Sequence, residues 1–304
     1  MSVRLDAPQE GVPPLVDTPR ALADTVETLA SGTGPFALDS ERASGYRYSQ
    51  RAYLVQVRRQ GAGTHLIDPI AIDDFGPFAE LLREDEWVLH AATQDLPCLR
   101  ELGLHPPALF DTELAGRLLG RPRVGLATMI AEEFSLELAK EHSAADWSVR
   151  PLPEGLLNYA ALDVELLLEL RARLADELAA AGKLEWAQQE FAALLQAPDI
   201  VVSPEPWRRT SHITDVTTPR GLAVVRELWQ ARDQLARRLD IAPGRLLPDR
   251  VIIAVARRHP LESALPDMRE LRRREPETWA AAYERARSLP ASALPARRGP
   301  GRGG

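Results

Sequence analysis

Apolar residues first cluster along the chain in short alternating or continuous runs, the spacing of strands. Phe36-Ala37-Leu38-Asp39, Ala52-Tyr53-Leu54-Val55-Gln56-Val57 and His65-Leu66-Ile67-Asp68 are three such runs, and Gln60-Gly61-Ala62-Gly63 between the last two has the glycines of a hairpin turn. They predict an antiparallel meander that opens a sheet. The spacing then lengthens. A helix-like stretch over 75–83 precedes a short apolar strand, Trp87-Val88-Leu89-His90-Ala91, and a helix over 96–102 that Gly103 ends. From Ala115 to Gly182 the apolar intervals are mostly helical, with the longest run after Pro153-Glu154, where a proline in the first turn starts a helix. The pattern is that of an α/β fold, a sheet of mixed direction covered by helices.

Residues 197–219 hold four prolines and little periodicity, which predicts a linker. Beyond it 221–239, 248–258, 268–273 and 276–287 read as helices with no strand among them, a small all-α domain over 220–289. Residues 1–17 and the Pro/Gly/Arg-rich stretch 290–304 are expected to be disordered. That leaves 18–196 for the main domain, and 304 residues suffice for a main and a smaller core.

Composition narrows the setting. Cys98 is the single cysteine, so no disulfide forms within the chain and no zinc-type spacing exists. With no basic-then-apolar leader at the N-terminus and no run near ~18 apolar residues, the expectation is a soluble cytoplasmic protein with no membrane partner. The formal charge of -7 argues against a nucleic-acid partner until it is divided along the chain. Residues 1–204 carry 17 Lys and Arg against 32 Asp and Glu, whereas residues 205–304 carry 20 against 12. An acidic part able to chelate cations is joined to a basic part able to hold phosphates.

The acids carry the candidate chemistry. Asp39 and Glu41 stand two apart where a strand ends, so both side chains share one face and can share a cation. Asp95 follows His90 just past the next strand, at a helix start where Asp also serves as an N-cap. Tyr159 and Asp163 stand four apart on one helix and so on one face; an acid beside Ala161-Leu162 and Val164 is costly to bury unless paired or bound to metal. A second Asp-x-Glu, Asp111-Thr112-Glu113, follows Asp95 instead of opening the sheet, and Asp111 reads as a helix cap.

In this order the residues resemble the ribonuclease D family of the DEDD exonuclease superfamily, in its tyrosine subtype. Asp39 and Glu41 match its first motif, Asp95 its second, and Tyr159 with Asp163 its third. Leu138-Ala139-Lys140 and Asp146-Trp147-Ser148-Val149-Arg150-Pro151-Leu152 are similar to the stretch before the third motif, and Ser40 stands where the family commonly has Thr. The part after the linker, with Leu228-Trp229, Arg232, Leu247-Pro248-Asp249, Ala254-Val255-Ala256 and His259-Pro260, resembles the helicase-and-RNase-D C-terminal (HRDC) domain, of which ribonuclease D can carry two and this chain has room for one.

The resemblance implies a ribonuclease H-like sheet and a 3′-to-5′ exonuclease. It further implies a pair of Mg²⁺ or Mn²⁺ ions held by Asp39, Glu41, Asp95 and Asp163, with the Tyr159 hydroxyl on the attacking water. The products would be nucleoside 5′-monophosphates. The substrate would be the 3′ end of RNA, tRNA precursors above all, with single-stranded DNA and a catalytically silent nucleic-acid-binding module as the alternatives. Gln56, His90, Lys140, Trp147, Arg150, Arg232 and Arg250 are the expected nucleic-acid contacts.

Overall fold

The computed structural model describes residues 3–138, 145–197, 203–258, 265–266 and 268–296. These fall into two compact units, and the division is not a simple cut. The first takes the chain up to Ala43 and resumes at Gln50; the second takes Ser44–Ser49 together with the described residues from 203 onward.

The first unit is built on a six-stranded sheet. In chain order its elements are β1 (Val3–Leu5), β2 (Leu15–Val16), α1 (Pro19–Ala30), β3 (Thr33–Arg42), β4 (Ala52–Gln60), β5 (Gly63–Ile67), α2 (Gly76–Leu81), β6 (Trp87–Leu89), α3 (Leu96–Glu101), β7 (Leu109–Asp111), α4 (Thr112–Leu118), α5 (Leu126–Phe134), β8 (Leu136–Leu138), α6 (Glu154–Glu165), α7 (Leu167–Ala180) and α8 (Leu184–Gln196). The strand order is β2-β5-β4-β3-β6-β7. The β3–β4–β5 pairs are antiparallel, while β2 with β5, β3 with β6 and β6 with β7 are parallel. This is the expected mixed sheet covered by helices. β4 is central and covered on both faces, so residues 52–57 are all buried, the signature of an interior strand. β3 tolerates Pro35, which has no N–H to give, because its register with β4 slips between Thr33 and Phe36. The β4–β5 hairpin turns where expected, with Gly61 at φ +82° and Gly63 at φ +74°.

Several expectations are corrected. Residues 3–16 are not disordered: β1 pairs with β8 and β2 with β5, and β1 and β2, of three and two residues, are too short to show a period. β7, β8 and α8 also lie outside the predicted elements. Pro153 is the residue before α6, not a member of its first turn.

The second unit packs α9 (Pro219–Leu239), α10 (Pro243–Leu246), α11 (Asp249–Ala256), α12 (Arg269–Arg273) and α13 (Pro276–Ser288) around Trp207, Leu228, Ile252, Trp279 and Tyr283. Thr218 caps α9 through Gly221 N at 3.0 Å, and Pro219 occupies the first turn. Gly221 allows α9 and α11 to touch; a Cβ there would lie 2.6 Å from the Ala256 carbonyl oxygen. The predicted linker is, from residue 203, part of this unit: 206–209 and 213–215 are 3-10 turns and Trp207 is in the core. Residues 290–296 are likewise ordered, with a 3-10 turn at 291–293 and Leu294 against the core; the rest of the predicted tail lies outside the described residues, as do His259 and Pro260. Residues 44–49 belong here too. Tyr48 donates to Asp233 (2.9 Å), Asp240 accepts from Ser49 N (2.9 Å), and Arg245 stacks on Tyr46 while donating to the Gly45 carbonyl. No helix among the described residues is long and apolar enough to cross a membrane.

Candidate metal centre

The end of β3 sets the site. Strand alternation puts Asp39 and Glu41 on one face, and β3 slips register against β4 again just after Glu41, a bulge of the kind that re-aims side chains. Asp163 comes from α6, which packs on β3, β4 and β5. One carboxylate oxygen from each of Asp39, Glu41 and Asp163 lies within 4.8 Å of the others. The Tyr159 hydroxyl, one turn before Asp163, donates to the Asp163 carboxylate.

Asp95 reaches the site differently. It occupies the N-cap position of α3 yet caps nothing; its Oδ1 accepts the Ser40 hydroxyl at 2.7 Å. It is not among the three closest carboxylates, but its charge raises the pKa values of Asp39, Glu41 and Asp163. The turn that carries it is held by Asp111. Beyond capping α4 through Glu113 N (2.9 Å) and Leu114 N (3.1 Å), Asp111 accepts from Ala91 N (3.1 Å) and Ala92 N (2.9 Å). Ala91 has φ +60°, a left-handed conformation such bonds help to hold. The cap is legible in the sequence and this second task is not, its only local signal being an Asp-Thr pair closing a strand.

Burial and mutual repulsion leave these acids short of cations. Burial, then the charges of Asp95, Asp163 and Glu41, hold Asp39 well above the ordinary carboxyl range. Burial, then Asp163 and Asp95, push Glu41 up to about 9. Burial alone dominates at Asp163, raised to about 7, and at Asp95, raised to about 6. Tyr159 is raised as well, by burial and then by Asp163, so its hydroxyl stays protonated. A metal-free site of this kind holds protons where divalent ions would relieve the repulsion. All-oxygen donors suit Mg²⁺ or Mn²⁺ over zinc, so the residues present fit such ions.

The expected nucleic-acid contacts fare less well. Gln56 and Trp147 are buried, at 0% and 1% exposure, and cannot touch a substrate in this conformation. Trp147 instead packs against Tyr159, ring centroids 6.4 Å apart. Arg150 is spent on structure: it grips Asp68 through Nε (2.7 Å) and Nη2 (2.8 Å) and donates to the carbonyls of Tyr53, Trp147 and Val149. Arg232 is buried with Asp249 and the Leu247 carbonyl. His90 is half-buried on Thr112 at 2.8 Å. Among the six described residues of the seven, Arg250 alone is well exposed, paired with Glu270, and Lys140 lies outside the described residues.

Against this geometry, comparison with known proteins is specific. Residues 13–179 match the family model for a 3′-5′ exonuclease and residues 221–275 that for an HRDC domain. Ribonuclease D of Escherichia coli is 33% identical over 291 residues, covering 92% of this chain and 76% of that protein. The crystal structure of E. coli RNase D, described as an exoribonuclease involved in structured RNA processing, superposes with a TM-score of 0.72 over 93% of this chain and 77% of that one. A protein from Bifidobacterium adolescentis, 43% identical, superposes at 0.89 over 97% of this chain and 79% of that one.

Proposed function

The chain belongs to the ribonuclease D family of 3′-5′ exonucleases, and from that membership we propose that it trims the 3′ ends of structured RNA, tRNA precursors among them, by a two-metal-ion hydrolysis that releases nucleoside 5′-monophosphates. The observation that carries the reading is the cluster of Asp39, Glu41 and Asp163 oxygens within 4.8 Å, with Asp95 electrostatically part of it and Tyr159 beside it. Asp39, Glu41, Asp95 and Asp163 would hold the ions. When bound, a pair of divalent ions supplies an acidified water and charge stabilisation for both the attacking and the leaving oxygen.

The protein's own groups do the rest. Ser40 fixes one oxygen of Asp95, leaving the other free for the site. Tyr159, protonated because its pKa is raised, orients the attacking water by hydrogen bonding and is not its base. Trp147 packs against the Tyr159 ring, and Arg150, clasped to Asp68, donates to the Trp147 carbonyl. The basic residues of the helical unit, Arg250 among them, hold phosphates with little sequence information. The buried Cys98 thiol is consistent with a reducing cytoplasm.

The test is digestion of one RNA labelled at its 3′ end and again at its 5′ end, with and without Mn²⁺. Release of labelled mononucleotide at once from the 3′ label, a descending ladder from the 5′ label, and silence in EDTA are expected. Internal cuts, or activity undiminished by chelation, would reverse the proposal.

A further inference from the structure

Gln56 is a wholly buried amide with nothing to bond. It is 0% exposed, and neither its Oε1 nor its Nε2 meets a hydrogen-bonding partner; among the described residues no other side chain has both a donor and an acceptor so orphaned. Such a group forfeits its hydration without return, and an apolar residue of the same shape would fill the space better. An orphan of this kind in a folded protein calls for a partner that appears in another state of the site.

Its position says which site. Gln56 is the direct antiparallel partner of Asp39, so the two Cβ atoms stand on one face of the sheet, about 4.5–5.5 Å apart. Two residues further along that face Arg58 reaches Glu165 of α6 at 3.4 Å, and two residues back Leu54 is paired with Glu41. The amide therefore lies between the strand that presents Asp39 and Glu41 and the helix that presents Asp163, too deep to meet a nucleotide.

We propose that Gln56 is a positioning residue for the metal centre, its Nε2 donating to the Asp39 carboxylate oxygen turned away from a bound divalent ion and so fixing the ligand's orientation. This rests on the reading of Asp39 as a metal ligand. Ligating carboxylates are ordinarily held by such outer partners, whose removal weakens metal binding about 10–100-fold.

The test uses the full chain with Gln56→Met, close in shape, and Gln56→Leu, smaller. Two quantities are measured: Mn²⁺ affinity by calorimetric titration, and thermal unfolding in EDTA. The expected result is a metal-free Tm equal to or above wild type in at least one variant, Mn²⁺ binding weakened about 10-fold or more, and turnover that recovers at raised Mn²⁺. Unchanged Mn²⁺ affinity in a folded variant overturns the proposal. So does a lowered metal-free Tm in both variants, which would mean that the amide already has a structural partner. Wild-type protein that fails to bind Mn²⁺ would remove the metal-site reading itself, an outcome distinct from either.

Discussion

Replacing Glu41 by Gln in the metal-free protein tests the electrostatic account most directly. Glu41 is pushed from the ordinary carboxyl value of 4.5 up to about 9, by burial and then by the charges of Asp163 and Asp95, with Arg42 opposing. The folded, metal-free protein therefore keeps a proton that the unfolded chain has already released. Stability contributed at low pH then disappears as pH rises through that window. One such proton corresponds to about 1.4 kcal/mol per pH unit. Asp39, Asp95 and Asp163 share the same proton pool, so half to all of that, about 0.7–1.4 kcal/mol per unit, belongs to Glu41. For a unit of this size the slope is about 1.5–5 °C of Tm per pH unit. Thermal unfolding in EDTA at pH 6, 7 and 8 should show the Tm of wild type falling with rising pH and that of Glu41→Gln falling less, the gap widening by that amount at each step. Adding Mn²⁺ should stabilise wild type and do so more strongly at pH 8, where the ion no longer has to displace protons; the variant should gain little. Parallel wild-type and variant profiles in EDTA would refute the reasoning, because Glu41 would then be ionised in the metal-free fold.

Asp39→Asn should fold normally while turnover on a labelled RNA falls below a tenth of wild type, a drop of more than about 1.4 kcal/mol in transition-state stabilisation; a variant above that level would remove Asp39 from the ligand set. Gly221→Ala should destabilise the helical unit by about 1–3 kcal/mol in urea unfolding, since the new methyl meets the Ala256 carbonyl oxygen at 2.6 Å and Val216 Cγ1 at 2.7 Å. Deleting residues 203–304 should flatten the salt dependence of RNA binding by about 0.7–0.9 in the log-log slope for each phosphate that the shortened protein no longer neutralises. The same deletion leaves Tyr46 and Tyr48 without the helices they pack on, so cleavage of a short oligonucleotide should fall too; rates equal to the full chain's would show that segment 44–49 needs no support.

How much of this was legible in the sequence follows from the range of the forces involved. The long strands and the four main helices of the second unit are periodic enough to predict, and Tyr159 with Asp163 and Asp39 with Glu41 follow from helix and strand spacing. β1, β2, β7 and β8 span two or three residues each, too short to repeat the two-residue alternation of a strand, and are held by partners outside their own stretch of chain. The prolines of 203–219 read as a linker because proline ends regular structure, yet Trp207 there is a core residue. The expected substrate contacts that the fold buries or engages in structural bonds have one physical cause. Gln56, Trp147, Arg150 and Arg232 are polar or amphipathic side chains whose burial is decided by tertiary packing, and sequence alone shows their chemistry without their depth.

The helical unit takes a wall of itself from the other end of the chain. Ser49 and Asp240, Tyr48 and Asp233, Gly45 and Arg245 are separated by 191, 185 and 200 residues. At roughly 5–20 residues per second of synthesis, segment 44–49 leaves the ribosome about 10–40 s before the helices that receive it. The strands on either side of it can pair in that interval and hold it out as a short tether. The late helices then have only to close on a segment already anchored at both ends, whereas a fragment beginning at residue 203 and made alone would have to fold with that side of its core open to water.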